Sequence, residues 1–313
     1  MEQKQLLSLI IPVYYEEEVL EESYARMDAA MQSTGHPYEI IYVNDGSRDG
    51  TMKVLRKLAK EHEEVKVLSF SRNFGHQLAV TCGMDAAKGD ALIIIDVDLQ
   101  DPPEIIPQMV ERWKAGAEIV YGKRAKREGE TIFKKLTAAV YYRLLRSMSA
   151  YPIPLDTGDF RLLDRKVADV FLEMRENARF LRGMSAWMGF EAEPLEYVRQ
   201  ERAAGKTKYT LKKMLKLAMD GITGFSSKPL TLPLGWGVAL SVLAVLALIF
   251  FAVMWIQLPN DKLIWIYSLG ISGFVLLQGI TFIFMAIQGM YLGRVYDEVK
   301  RRPLYIVAEK LNI

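Results

Sequence analysis

Short apolar runs that break off at polar clusters recur through the first 124 residues. Residues 6–13 (LLSLIIPV), 39–43, 65–70, 91–95 and 119–121 read as strands: each is short, apolar and bounded by turn residues. Residues 19–34, 52–62 and 77–87 between them have helical character, and Asp49-Gly50-Thr51 opens the second of these. Strands alternating with helices at this spacing predict a mostly parallel, doubly wound α/β sheet. Helices are also expected over 131–147, 164–175 and 210–223. The first and last of these are basic and amphipathic, with Phe133, Leu136, Val140 and Leu144 on one face, and Leu211, Met214, Leu215 and Ile222 on the other's. Such helices either pack on a soluble core or lie in an anionic membrane surface.

The pattern changes near the C-terminus, where 234–256 and 264–292 carry no charged residue. Each exceeds the roughly 20 residues that cross a bilayer as a helix. Only a short polar turn separates them, so a transmembrane hairpin is predicted, with Trp236, Trp255, Trp265 and Tyr267 as interfacial aromatics. The domain plan is therefore a catalytic part over 1–228, a hairpin over 229–293 and a tail over 294–313. Eight Lys/Arg fall between residues 199 and 228 and five from 294 onward, against Lys262 alone in the turn, which places both termini in the cytoplasm. Gly289-x-x-x-Gly293 would let helices approach closely, so a homo-oligomer is expected.

Composition adds bounds. Forty basic and 38 acidic residues nearly cancel across 313 residues, so net charge selects no partner. Cys82 is the one cysteine, which rules out an intramolecular disulfide and suits an intracellular catalytic part. The N-terminus lacks the charged-then-apolar pattern of a signal peptide. No G-x-G-x-x-G follows the first strand and no P-loop occurs, so neither a dinucleotide redox site nor a P-loop nucleotidase is supported.

Candidate chemistry sits where strands stop. The run 91–95 ends in Asp96-Val97-Asp98-Leu99-Gln100-Asp101. Strand alternation would point Asp96 and Asp98 to one side, and oxygen-only donors suit Mg²⁺ or Mn²⁺ shared with a diphosphate. A bland reading makes the pair a helix cap before Pro102-Pro103. Glu16 and Asp45 could accept hydrogen bonds from a base or ribose, although Asp45 in Asn44-Asp45-Gly46-Ser47 could equally serve its own turn. Lys123, Arg124, Lys126 and Arg127 form a basic cluster, either phosphate-binding or merely solvated. Asp156 and Asp159 flank Gly158, while Arg199, Arg202, Lys206 and Lys208 crowd a glycine-bearing loop that suits phosphate better than a folded core.

Together P-V-Y-Y-E-E, V-N-D-G-S-x-D-G-T, R-N-F-G-H-Q, D-V-D-L-Q-D-P-P-E, D-T-G-D-F-R-L and R-x-x-R-x-x-G-x-T-K-Y resemble the family-2 (GT-A fold) glycosyltransferases that act on polyprenyl phosphate. The likeness is to bacterial polyisoprenyl-phosphate glucosyltransferases, undecaprenyl-phosphate aminoarabinose transferases and, more distantly, dolichyl-phosphate mannose synthase. It implies that Pro12, Tyr14, Glu16, Asp45 and Ser47 recognise the nucleoside, with Asp96 facing the ribose and metal region. Asp98 and Gln100 would ligate the cation. Arg124, Arg199, Arg202 and Lys208 would hold donor diphosphate and lipid phosphate, and Asp159, with Asp156 as a second, would be the acid near the acceptor. His76, with no second histidine nearby, reads as structural.

The implied reaction moves a sugar from a nucleotide sugar, UDP-linked, to undecaprenyl or another polyprenyl phosphate with inversion, at the cytoplasmic face of a bacterial inner membrane. The expected partners are the donor, the acceptor and the bilayer, without nucleic acid. Two alternatives are a processive polysaccharide synthase and a silent sugar-nucleotide-binding scaffold. The first wants more spanning helices and a Q-x-x-R-W motif, which this chain lacks.

Overall fold

A computed structural model describes residues 5–124, 157–177, 179–198 and 263–313, with single positions between 236 and 250. Both basic amphipathic helices expected at 131–147 and 210–223 lie outside the described residues, as does most of the first uncharged run. The chain divides into two units, one of residues 1–221 with 302–313, the other of 222–301.

The first unit is built on β1 (Leu7–Val13), whose seven residues are all buried. A strand so apolar on both faces belongs at the middle of a sheet covered by helices. It pairs in parallel with β2 (Tyr38–Asn44) on one side and β4 (Ala91–Ile94) on the other, and β2 pairs in parallel with β3 (Val65–Phe70). Helices α1 (Leu20–Ser33), α2 (Thr51–Glu61) and α3 (His76–Ala86) make the crossovers. α2 buries Leu55, Leu58 and Ala59 at helical spacing. α3 lies so close to β1 that a Cβ on Gly83 would stand 2.3 Å from Ile10 Cγ2.

Beyond β4, α4 (Ile106–Lys114) carries a proline in its first turn, where a missing N–H costs nothing, and leads to β5 (Ile119–Arg124). Three strands were not expected, and two of them lie on this side of the sheet. β6 (Thr157–Asp164) inserts antiparallel between β4 and β5, and β7 (Ala192–Tyr197) pairs in parallel with β5. α5 (Arg165–Glu173) is capped by Asp164, which accepts from Lys166 N at 2.9 Å, and α6 (Leu181–Met188) follows.

Residues 294–313, expected to be a tail, are ordered otherwise. β8 (Val307–Leu311) pairs antiparallel with β3 and completes an eight-stranded sheet of order β7-β5-β6-β4-β1-β2-β3-β8. Tyr305 stacks on Phe70 with ring centroids 5.2 Å apart, and Asn312 Nδ2 donates to Ala59 O and Val65 O. An edge that would otherwise expose unpaired N–H and C=O groups is thus covered.

The second unit contains α7 (Leu263–Val299), 37 residues long. Its stretch Leu276–Val299 is long and apolar enough to cross a membrane, and it is not buried. Phe274, Leu276, Phe282, Ile283 and Leu292 are all exposed along α7, and the described positions between 236 and 250 are helical. One such helix qualifies as a span among the described residues, and a hairpin is not established by it.

Candidate active site

Because β1 to β4 run in parallel, their carboxyl ends share one edge, the place where open α/β sheets form ligand crevices. After β1, Tyr14 and Tyr15 are exposed with their rings edge to face at 4.6 Å. Tyr15 adopts a left-handed backbone, φ 56°, and its N–H donates to Ser47 Oγ at 2.9 Å. Glu16 N donates to Thr51 Oγ1, so the two loops after β1 and β2 are laced together. Pro12 is buried inside β1, in register with Val43.

Asp45 is turned toward the loop after β3. It is buried, and its carboxylate accepts from Phe74 N at 2.7 Å, from Gly75 N at 3.0 Å and from Asn73 Nδ2 at 2.7 Å. It staples the turn 73–75 that opens α3. Gly46 beside it has φ 73°, and a Cβ there would fall 2.4 Å from Arg72 C, so only glycine fits where the two loops meet.

β4 ends at Ile94, so Asp96 and Asp98 lie on a loop rather than alternating along a strand. They turn to different partners. Asp96 Oδ1 stands 2.8 Å from His76 Nε2, whereas Asp98 is buried and its Oδ1 accepts from Gln100 N at 3.2 Å. Left-handed Leu99, φ 56°, sets the tight turn that puts Asp98 and Gln100 together. Strained backbone of this kind persists where the surroundings fix it, commonly at functional sites. The donors on this turn are all oxygen, which fits Mg²⁺ or Mn²⁺. Among the described residues no three His, Cys, Asp or Glu form a group that could hold a metal ion.

Ile94 is in register with Arg161, so the start of β6 runs past the end of β4 and carries Asp159 to the same edge. There His76, read from sequence as structural, joins the two candidate carboxylates. Its Nε2 meets Asp96 and its Nδ1 is 3.8 Å from Asp159 Oδ2. Arg182 Nε donates to Asp159 Oδ1 at 2.9 Å, Gln77 Nε2 to Oδ2 at 3.3 Å, and Arg161 Nη2 stands 3.6 Å away. Two carboxylates thus face three cationic groups.

The electrostatics follow from this packing. Burial alone would raise the Asp159 carboxyl, but Arg182, His76 and Arg161 hold it well below the usual carboxylate range. Burial alone would lower His76, yet Asp96 and Asp159 raise it to about 9. Asp96 is lowered despite burial, chiefly by His76. Near neutral pH the cluster is a set of ion pairs rather than a relay of neutral groups.

Arg124 ends β5 opposite Tyr197, its side chain outside the described residues, as are Asp156, Arg199, Arg202 and Lys208. His76, Gln77, Arg161 and Arg182 are the residues that sequence reasoning missed. The R-N-F-G-H-Q motif contained the first two, but their partners lie far along the chain.

Residues 8–172 match glycosyl transferase family 2. The chain belongs to that family. It is 50% identical over 306 residues to an uncharacterised glycosyltransferase of Bacillus subtilis (strain 168), covering 98% of this chain and 94% of that one. It is 39% identical to a prophage bactoprenol glucosyl transferase homolog of Escherichia coli (strain K12), covering 96% and 98%. Among solved structures, a mannosyltransferase of Pyrobaculum calidifontis in complex with GDP-Man and Mn²⁺ is 17% identical, covering 88% of this chain and 87% of that one, with a TM-score of 0.46. The strand order, with antiparallel β6 inserted beside a parallel β4-β1-β2-β3 core, is the GT-A α/β architecture of this family-2 glycosyltransferase.

Proposed function

We propose that this family-2 enzyme transfers a sugar from a UDP-linked donor to a polyprenyl phosphate, undecaprenyl phosphate in a bacterium, with inversion at the anomeric carbon. The observation that carries the reading is the state of Asp159. A carboxylate gripped by two arginines and a histidine is a poor base. A hydroxyl acceptor would need a base, whereas a phosphate monoester, with a second pKa near 6, already carries an anionic oxygen at neutral pH. Full-length likeness to bactoprenol glucosyl transferases supports the same acceptor.

In this mechanism the loops of Tyr14, Glu16 and Ser47 frame the nucleoside, with Pro12 and Asp45 shaping them from behind. Asp159, with Asp156 nearby in sequence, orients acceptor or sugar hydroxyls. Arg124, Arg199, Arg202 and Lys208 bind the donor diphosphate and the lipid phosphate through charge-assisted hydrogen bonds. A divalent cation held by Asp98 and Gln100, with Asp96 alongside, would supply charge to stabilise the departing diphosphate.

Membrane residence completes the proposal. Chain that leaves the first unit at 221 returns at 302 to place β8 against β3. Any crossing of a bilayer between those points must therefore be matched by a crossing back. That parity supports the hairpin of 234–256 and 264–292, with catalytic domain and termini on the cytoplasmic side of the plasma membrane. A phosphate on an embedded isoprenoid then meets a tethered active site at raised effective concentration.

The test is incubation of the detergent-solubilised protein with undecaprenyl phosphate, Mg²⁺ or Mn²⁺ and a panel of nucleotide sugars, read by the mass of organic-extractable product. A lipid-linked sugar that disappears with Asp98→Ala or chelation is expected. No lipid product from any donor, or a product that keeps the donor's anomeric configuration, would falsify the reading.

A further inference from the structure

The two arginines at Asp159 are not equivalent. Arg161 is nearly inaccessible, with 5% of its side chain exposed, and its guanidinium is spent on the protein. It donates to Gly158 O at 3.2 Å, to Leu181 O at 3.5 Å and to Ser185 Oγ at 2.5 Å, tying α6 to the start of β6. Arg182 is 28% exposed and reaches Asp159 side on, with Nε to Oδ1 at 2.9 Å and Nη2 to Oδ2 at 3.4 Å. A planar fork against a carboxylate fixes the plane of that carboxylate as well as its charge.

The base that carries Arg182 is itself anchored to the nucleotide side of the crevice. Leu181 N donates to Gln77 Oε1 at 2.9 Å, and Gln77 Nε2 reaches back to Asp159 Oδ2. Gln77 stands next to His76 in the first turn of α3, and His76 pairs with Asp96. A connected network of Asp96, His76, Asp159, Arg182 and Gln77 therefore spans from the loop after β4 to the first turn of α6. Within it Arg182 is the member whose position no motif marks, and 28% of its side chain is exposed.

We propose that Arg182 is a positioning residue, which sets the orientation of the Asp159 carboxylate relative to Asp96 for sugar transfer. This rests on the proposed reaction. Acting through Asp159, Arg182 affects turnover more than donor binding, and it has no effect once the carboxylate is gone.

The experiment is a double-mutant cycle in the full-length, detergent-solubilised protein with Arg182→Gln, Arg182→Lys, Asp159→Asn and the Gln/Asn double variant. Misplacing a reacting group by about 1 Å costs on the order of 100-fold, so kcat for lipid-linked sugar should fall about 10- to 100-fold in Arg182→Gln with the donor KM held within about threefold. Arg182→Lys should recover part of that loss, and the double variant should be no slower than Asp159→Asn, as for residues acting as a unit. Additive losses, a KM effect that matches the kcat effect, or a Lys variant as slow as the Gln variant would overturn the assignment. If wild type makes no lipid-linked sugar, the proposed acceptor is wrong. The same cycle is then read in hydrolysis of the nucleotide sugar by water, where additive losses or an absence of coupling again overturns the role of Arg182.

Discussion

Tyr305 lies flat on Phe70, their rings 16° from parallel, and its hydroxyl donates to Asp85 in α3. Phe70 in turn meets Phe74 edge to face at 5.5 Å, and Ser71 N donates to Ile306 O at 3.0 Å. The residues just after α7 thus buttress the turn 71–75 that Asp45 staples. Tyr305→Ala should lower unfolding stability by about 2 kcal/mol through lost stacking and burial. Glu309→Gln, which removes an exposed ion pair with Arg56, should cost less than about 1 kcal/mol. Urea unfolding of the two variants in detergent gives the comparison, and a larger loss for Glu309→Gln would contradict this ordering.

Asp45→Asn places an amide where three N–H groups point. At most one oxygen can accept, and a donor is turned toward donors. The cost of leaving such groups unpaired is about 1–3 kcal/mol. Because the strain falls on the turn ahead of His76, the donor KM should rise about tenfold with a smaller change in kcat. Steady-state kinetics at fixed acceptor concentration measures this, and an unchanged donor KM would count against the staple.

The central part of the fold was legible because its sequence signals agree at every level. Apolar runs at 6–13, 39–43, 65–70 and 91–95 differ from β1 to β4 by one or two residues at most, since each is walled by turn residues. β6 was hidden for a physical reason: Thr157–Asp164 alternates apolar residues with Asp159 and Arg161, which pair with each other, Asp159 meeting Arg182 as well, instead of with water. β7 and β8 are short, polar edge strands, and β8 finds its partner at the other end of the chain. The same distance concealed His76. A histidine beside a carboxylate is a contact between α3 and the loop after β4, and periodicity within either segment carries no trace of it.

Glu39 provides a pH signature away from the active site. It is buried at the opposite end of β2, paired with Lys66 and accepting from Ser8 Oγ at 2.5 Å and Lys88 N at 2.7 Å. Burial raises its carboxyl, but Lys66, Ser8 and Lys88 outweigh that and leave it lowered. A lowered folded pKa gives stability that is fully present above the unfolded value, about 4.3, and is lost as pH falls through the folded one. Glu39→Gln should therefore be less stable than wild type by about 2 kcal/mol at pH 7, with the gap closing below about pH 4. Denaturant unfolding at several pH values checks it; a gap that widens in acid would reverse the sign.

Gly46→Ala tests the meeting of two loops. The added methyl would sit 2.4 Å from Arg72 C and 2.7 Å from Asn73 N at a backbone φ of 73°. Neither neighbour is the movable tip of a side chain, so the turn must shift. Loss of more than about 1 kcal/mol is expected. A thermal midpoint equal to wild type would show that the loops do not press together.

The strand that covers β3 comes after every other strand of the sheet in chain order, beyond α7. During synthesis β3 has no neighbour on its outer side until the residues that follow α7 have emerged. Final assembly of the first unit therefore waits until α7 has been made. A chain cut short within α7 would leave β3 a bare edge, open to pairing with a second molecule.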